Sequence, residues 1–281
     1  MMKSILITGV YGRCGTALID HLHDRDEYSF TYFNRSDRDE DHDYGGYDTI
    51  VADINDYDAT RSAFEDKDAV IHLAAYPYDF GDWDDVREPN ITGMYNALEA
   101  AKEAGVEDFI FGSTNHVMGM YEVANAPDIY YPESDILIDH TDPKRPDSFY
   151  GATKSFGEDL GRYYVENYEY PKRFYAIRIC SVRMPKYDHP FGDAEKGADD
   201  GEWERGSIEY ETQVARMKAM WQSRRDFAHQ VDCCLQDDTV EFDIFSGVSD
   251  NDRRWYDISH ARDVIGYEPK DNGETWDSPP E

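Results

Sequence analysis

Apolar residues along this chain cluster into short β-branched or aromatic runs, separated by longer amphipathic stretches. Seven runs predict strands, at residues 4–8, 29–33, 49–52, 69–73, 106–111, 174–179 and 240–245. Helix-compatible stretches lie between most of them, at 12–23, 57–64, 90–104 and 148–167. Strands alternating with helices call for right-handed crossovers and so for a parallel sheet. Two stretches break the pattern. Residues 36–47 are acidic and read as a solvated loop, and residues 183–207, rich in Asp, Glu, Gly and Lys, read as a surface loop near a second lobe. No internal repeat or low-complexity linker interrupts the chain.

The first strand runs into three evenly spaced glycines, Gly9, Gly12 and Gly15, and a helix-compatible run follows at once. A strand turning sharply into a helix leaves backbone N–H groups free at the helix start, where they and the helix dipole suit a pyrophosphate. Side chains would block its approach, hence the glycines. Their place on the first strand of an alternating pattern predicts an α/β fold: a Rossmann-type doubly wound parallel sheet with a small C-terminal substrate lobe. We place a dinucleotide-binding domain at residues 1–180 and a substrate-binding lobe at 181–281, with elements returning to the main sheet.

An acid at the end of the second strand would accept the ribose hydroxyls of NAD. Asn34 stands there instead, with Arg35 and Ser36 beside it. A neutral side chain next to a guanidinium accommodates a 2′-phosphate, which favours NADP over NAD. Asp53, after the third strand, can accept a hydrogen bond from the adenine amine. His72, Leu73, Ala74 and Ala75 end the fourth strand with small residues on which a cofactor can lie, and His72 itself reads as a satisfied core histidine.

Charge narrows the function classes. The 281 residues carry 28 Lys and Arg against 60 Asp and Glu, a formal charge of −32. With no basic patch in view, nucleic acid and anionic membranes are not expected partners. Aromatic residues make up 14% of the chain, which with the recurring apolar runs argues for a folded protein rather than a disordered one. An acid-coated protein of a high-salt cytoplasm fits, because concentrated salt screens such a surface. The four cysteines, Cys14, Cys180, Cys233 and Cys234, show no metal-ligand spacing and read as reduced thiols, so no metal is expected. No signal peptide or membrane-spanning run is visible, and the expected location is cytoplasmic.

Tyr150 and Lys154 open a strong helix four residues apart, so phenol and ammonium share a face. A free tyrosine titrates near 10, too high for a base at neutral pH, and a nearby cation is expected to lower it. The pair is a plausible acid/base unit. Upstream, Ser113 or Thr114 can hydrogen-bond the reacting oxygen.

Together these motifs resemble the extended short-chain dehydrogenase/reductase family. The residues that carry the resemblance are Thr8, Gly9, Gly12, Gly15, Asp53, the His72-Leu73-Ala74-Ala75 strand end, the Asn90-Ile91-Thr92-Gly93 helix start and Tyr150-x-x-x-Lys154. The resemblance implies a catalytic set of Thr114, Tyr150 and Lys154. It implies cofactor contacts from the three glycines, Tyr11, Arg13, Cys14, Asn34, Arg35, Ser36, Asp53, Ile54, Leu73, Ala74, Ala75, Asn90, Tyr150, Lys154 and Ile179.

Ser113 to Gly119, the Arg145-Pro146-Asp147-Ser148 stretch, Arg216-Met217 and Trp221 are more narrowly similar to the uronate dehydrogenase subgroup, which includes haloarchaeal sugar dehydrogenases acting on aldoses or glucose 6-phosphate. That likeness implies substrate contacts from Tyr76, Thr114, Asn115, His116, Tyr150 and Arg216, the last at the position of the subgroup's carboxylate-binding arginine. The segment 181–216 looks longer than the family's. Arg183, Lys186, Arg216, Lys218, Arg224 and Arg225 supply positive charge there, either for an anionic sugar or for ion pairs with the acidic surface.

The expected activity is NAD(P)-linked oxidation of a sugar's anomeric hydroxyl to a lactone. A neutral aldose such as L-arabinose or a hexose ranks first, glucose 6-phosphate second and a uronate third. A nucleotide-sugar epimerase would use the same triad but want a roomier lobe. A dehydratase would want an acid beside Thr114, where Asn115 and His116 stand. A dinucleotide-binding sensor without turnover would not need Tyr150 and Lys154. Resembling proteins often form homo-oligomers through the helix at 148–167.

Overall fold

The computed structural model describes residues 2–280. The apolar runs form seven strands: β1 (Lys3–Thr8), β2 (Tyr28–Asn34), β3 (Thr49–Val51), β4 (Ala69–His72), β5 (Asp108–Thr114), β6 (Arg173–Ile179) and β7 (Phe242–Gly247). All are parallel, in the order β3-β2-β1-β4-β5-β6-β7. The order reverses between β1 and β4, and such a switch point opens a crevice at the carboxyl ends of the strands.

Side-chain alternation sorts the sheet residues onto two cores. Ile5, Ile7, Ile110, Tyr175 and Ile177 face one. Leu6, Phe109, Phe111, Phe174 and Ala176 face the other. Every residue of β5 is buried, as expected for a central parallel strand covered on both sides.

The helices are α1 (Arg13–Leu22), α2 (Tyr57–Phe64), α3 (Trp83–Val86), α4 (Gly93–Ala104), α5 (Gly119–Asn125), α6 (Phe149–Asn167), α7 (Gly192–Asp200), α8 (Ile208–Met220), α9 (Arg224–Gln236) and α10 (Ser259–Ile265). Helices α2, α4 and α6 cover one face and α1, α8, α9 and α10 the other. Ser148 starts α6 by accepting the Gly151 amide on its hydroxyl at 3.1 Å, the usual device for a free first-turn donor.

Several expectations need correction. The stretch at 90–104 is not one α-helix: Arg87–Thr92 is a π-helical turn leading into α4. The β5 strand extends beyond 111 to Thr114, so its hydroxyl sits on the strand's last residue. Residues 183–207 are not a surface loop. They contain α7, whose Ala194 packs with Phe191, Tyr210 and Val214 into a small separate core. The acidic loop at 36–47 is pinned by Tyr44, which is buried and donates its hydroxyl to Asp20 at 3.1 Å.

Candidate active site

Each glycine of the first turn has its own steric reason. Gly9 has φ +72°, and a Cβ there would lie 2.7 Å from the Ala74 amide nitrogen, so a side chain would push β1 and β4 apart. A Cβ on Gly15 would stand 2.1 Å from the Val10 carbonyl oxygen, closing off the packing of α1 onto its strand. A Cβ on Gly12 would meet only the Gly9 oxygen, at 3.4 Å. Packing therefore leaves Gly12 free to carry a side chain, and its glycine keeps the turn open at the start of α1. No side chain caps that helix, and no acid lies in its first turn. A bare helix N-terminus behind an open glycine turn is chemistry suited to a dinucleotide pyrophosphate.

Other predicted cofactor residues surround this crevice. Leu73, Ala74 and Ala75 follow β4 half-buried. The Thr8 hydroxyl accepts the Ala74 amide at 3.2 Å and meets His72 Nδ1 at 2.9 Å. Burial pushes His72 down to about 3, so it stays neutral, in keeping with a core histidine. Ile179 ends β6 with its side chain beside Gly112. Ile54 is buried, and its carbonyl accepts from Asn96 at 3.0 Å. Asp53 is exposed and accepts from the Asn55 amide at 2.9 Å. Arg13 is exposed at the first position of α1. Burial pushes the Cys14 thiol up to about 11.

At the end of β2 the Asn34 amide donates to the Ser36 carbonyl at 2.8 Å, while Arg35 and Ser36 are exposed. Tyr11 turns its side chain from the glycine turn toward β3, with its hydroxyl 2.5 Å from the Thr49 hydroxyl. The Arg38 guanidinium lies 5.2 Å from the Tyr11 ring centroid. Sequence reasoning missed Arg38, three residues past Arg35, because only the fold of the acidic loop returns it to the turn.

Helix α6 brings the catalytic candidates to the end of β5. The Lys154 ammonium is buried and donates to the Gly112 carbonyl at 2.6 Å, 5.9 Å from the Tyr150 ring centroid. Burial lowers it to about 8. The expected lowering of Tyr150 by Lys154 is absent: burial holds the phenol well above its ordinary value, with the Thr114 hydroxyl opposing. The reason is geometric. The ammonium is engaged on a carbonyl rather than on the phenol oxygen, and desolvation dominates.

The choice between Ser113 and Thr114 resolves by strand alternation. Ser113 donates to Glu158 at 2.7 Å, whereas Thr114, on the other face, accepts the amide of His116, whose ring lies 5.9 Å from that of Tyr150. Glu158 continues the Tyr150–Lys154 face one turn further, a spacing that could have revealed it. It forks with Arg178 at 2.9 Å on both oxygens, fully buried, and so clamps α6 onto β5 and β6.

Among the substrate candidates, the Asn115 Nδ2 is buried without a partner, while the residue's backbone carbonyl accepts the Tyr256 hydroxyl at 3.0 Å. His116 Nδ1 lies 2.8 Å from Asp147, its Nε2 3.9 Å from Asp79, and its ring 5.9 Å from the Tyr150 ring. Asn90 is buried between loop and helix, accepting the Tyr76 amide at 2.7 Å and donating to Thr153 at 2.9 Å. This fixes Tyr76 near α6.

The six cations singled out between residues 183 and 225 are all engaged. Arg183 pairs with Asp193, Lys186 with Asp199, Arg216 with Glu122, Arg224 with Asp20 and Arg225 with Asp271, and Lys218 donates to the Trp276 carbonyl. Their partners lie between 10 and 204 positions away, beyond the three- and four-residue spacings that pair side chains within one helix. Away from this edge, His140, Asp243 and His260 gather their ligand atoms within 4.8 Å. The two imidazoles stack at 3.7 Å and 13°, so their in-plane lone pairs run side by side instead of converging. Among the described residues, no helix is long and apolar enough to cross a membrane.

Residues 5–234 match the NAD dependent epimerase/dehydratase family, and the chain belongs to it. It is 36% identical to the NAD-dependent glucose-6-phosphate dehydrogenase of Haloferax volcanii, with 97% of this chain and 95% of that one covered. It is 33% identical to the L-arabinose 1-dehydrogenase (NAD(P)(+)) of the same organism, covering 98% and 99%. Among solved structures it is similar to a uronate dehydrogenase from Agrobacterium tumefaciens complexed with NAD. There the TM-score is 0.74 at 25% identity, over 98% of this chain and 87% of that one.

Proposed function

We propose that this protein is an NAD(P)-dependent sugar 1-dehydrogenase. The observation that carries the reading is the gathering of Thr114, Tyr150 and Lys154 at the carboxyl end of β5, with the Lys154 ammonium 2.6 Å from the Gly112 carbonyl and 5.9 Å from the Tyr150 ring centroid, beside the crevice opened by the glycine turn. The kinship with two haloarchaeal sugar dehydrogenases supports it.

In this mechanism Tyr150, which burial holds protonated in the free protein, gives up its proton on forming the ternary complex and as phenolate takes the proton of the anomeric hydroxyl, while Thr114 orients that hydroxyl. Lys154 keeps a positive charge beside the phenol ring and would hold the nicotinamide ribose. A bound nicotinamide would supply the acceptor for the hydride of the anomeric carbon, so that the sugar would leave as a lactone. Asn115, with its unpaired amide, and His116, held by Asp147, bind sugar hydroxyls together with Tyr76. The glycine turn, Asp53 and the 73–75 segment hold the dinucleotide.

NADP is the favoured form. Arg35 is exposed and forms no ion pair among the described residues, and Arg38 lies close to the same turn. Arg35→Ala is expected to lower kcat/KM for NADP several-fold more than for NAD; equal effects on both would remove the assignment.

The test of the main reading is a matrix of rates in molar salt, with aldoses, glucose 6-phosphate and uronates each offered NAD and NADP. Reduced cofactor with at least one sugar is expected. Cofactor binding without turnover on any sugar would overturn the reading.

A further inference from the structure

We propose that His116, oriented by Asp147, takes up the proton that Tyr150 must shed and hands it to solvent past Asp79. The inference rests on the sugar-dehydrogenase reading above.

Oxidising a hydroxyl leaves a proton behind. The C–H electron pair goes to the cofactor as hydride, the O–H bond breaks, and its proton ends on the phenolate. The next turnover needs that proton gone, and a buried phenol does not release it unaided. Lys154 cannot receive it, because a protonated ammonium has no lone pair and this one donates to the Gly112 carbonyl at 2.6 Å.

His116 is built against the turn that carries Tyr150. It lies in the 3₁₀ turn Asn115–Met118 after β5. A Cβ on Gly151, the residue after Tyr150, would stand 2.3 Å from the His116 carbonyl oxygen and 3.2 Å from its Cβ. Glycine at 151 thus lets the turn lie directly on α6. The imidazole and phenol rings meet edge to face, their centroids 5.9 Å apart. One water or one sugar hydroxyl spans such a gap.

Asp147 fixes the orientation of the imidazole. Its Oδ2 lies 2.8 Å from His116 Nδ1, and the Ser148 hydroxyl donates to its Oδ1 at 2.9 Å. A Cβ on Gly119 would fall 2.0 Å from the same Oδ2, so the carboxylate occupies the room that a side chain at 119 would take. Burial opposes its charge, but the imidazole and hydroxyl contacts prevail and hold Asp147 below the usual carboxylate range. Facing an ionised carboxylate, Nδ1 carries the proton, and the lone pair of the neutral ring sits on Nε2. Nε2 stands 3.9 Å from Asp79, whose side chain is 54% exposed and opens to water. The other ionisable neighbours are committed. Glu122 of α5 holds Arg216 and Tyr130, and burial keeps the Cys180 thiol after β6 protonated. The relay therefore runs from the phenol oxygen to Nε2, rests as imidazolium between two carboxylates, and ends in water. One proton leaves for each hydride transferred, and no further reactant is needed.

The test measures kcat against pH for the full chain in molar salt, with the sugar and cofactor it turns over fastest, in a dilute buffer without nitrogen bases. His116→Gln keeps polar atoms for sugar hydroxyls but accepts no proton. It is expected to lower kcat by about 10²-fold, the low end of general acid–base catalysis, and added imidazole should restore much of the loss. Its profile should also lose the acid limb that wild type shows where the imidazole is already protonated. Asp147→Asn still accepts Nδ1–H but removes a charge that favours imidazolium, so its acid limb should move down by about one pH unit. An unchanged kcat in His116→Gln overturns the proposal. So does a loss that imidazole leaves unrestored with the acid limb kept, since His116 then only binds the sugar.

If His116→Gln does not fold, Asp147→Asn decides, and an acid limb left in place refutes the relay. If wild type oxidises no sugar, the dehydrogenase reading fails instead. Proton NMR of the His116 ring, titrated in wild type and Asp147→Asn, then judges the pairing on its own: a lower midpoint in the variant supports it, and an equal midpoint refutes it.

Discussion

Tyr150 and Lys154 show how a residue's chemistry depends on what it touches. Burial raises the phenol and lowers the ammonium to about 8, so in the free protein neither is poised as isolated values would suggest. Tyr150→Phe is expected to cut kcat by about 10²–10⁴, the range of general acid–base catalysis, while cofactor binding and far-UV circular dichroism stay as in wild type. Retained turnover would exclude Tyr150 as the base. His72 makes a separate prediction about stability. Its folded value, lowered to about 3 by burial, lies below its unfolded value of about 6.5. The unfolded chain therefore binds the extra proton, and stability falls as pH drops below about 6.5, by about 1.4 kcal/mol per unit until the folded value is reached. Denaturant titrations at several pH values should show a shallower acid slope in His72→Asn, whose amide can still pair with Thr8.

Two glycines of one element separate folding from binding. Gly12→Ala adds a methyl that meets only the Gly9 oxygen at 3.4 Å, so its melting temperature should remain near wild type while dinucleotide affinity falls about tenfold or more. Gly15→Ala puts the same methyl 2.1 Å from Val10 and should destabilise the fold itself. Equal melting temperatures in the two variants would contradict the division of roles. Helix α6 raises a similar question. Its Tyr150 and Lys154 face was legible from spacing alone, because positions four apart on a helix coincide. The clamp that holds this face in place, Glu158 with Arg178 and Ser113, needs β5 and β6 alongside, and Glu158→Gln should cost roughly 3–5 kcal/mol as a broken buried pair.

For the whole molecule, the dominant quantity is charge. With 60 acids against 28 bases, the folded chain repels itself. Raising salt from about 0.1 M to 1 M shortens the screening length from about 10 Å to about 3 Å, so unfolding free energy should rise steeply over that interval. A melting temperature flat across it would remove the high-salt reading. The same excess of acids explains the fate of the cations between residues 183 and 225. A guanidinium among so many carboxylates finds one, and Arg216 finds Glu122, 94 positions away in sequence.

The order of the strands and of the four helices α1, α2, α4 and α6, the glycine turn and the phenol–ammonium spacing were determined by the sequence itself, because each follows from contacts between near neighbours or from the period of a helix or strand. Tertiary structure decided which of Ser113 and Thr114 faces Tyr150, since alternation puts them on opposite faces but does not say which face is which. It also decided that α7 folds against α8, through apolar contacts too sparse to mark a helix locally, and that burial rather than Lys154 governs the phenol. Above all it decided which charges are spent on one another, because an ion pair depends on distance in space, and no pattern along the chain encodes that distance for residues so far apart.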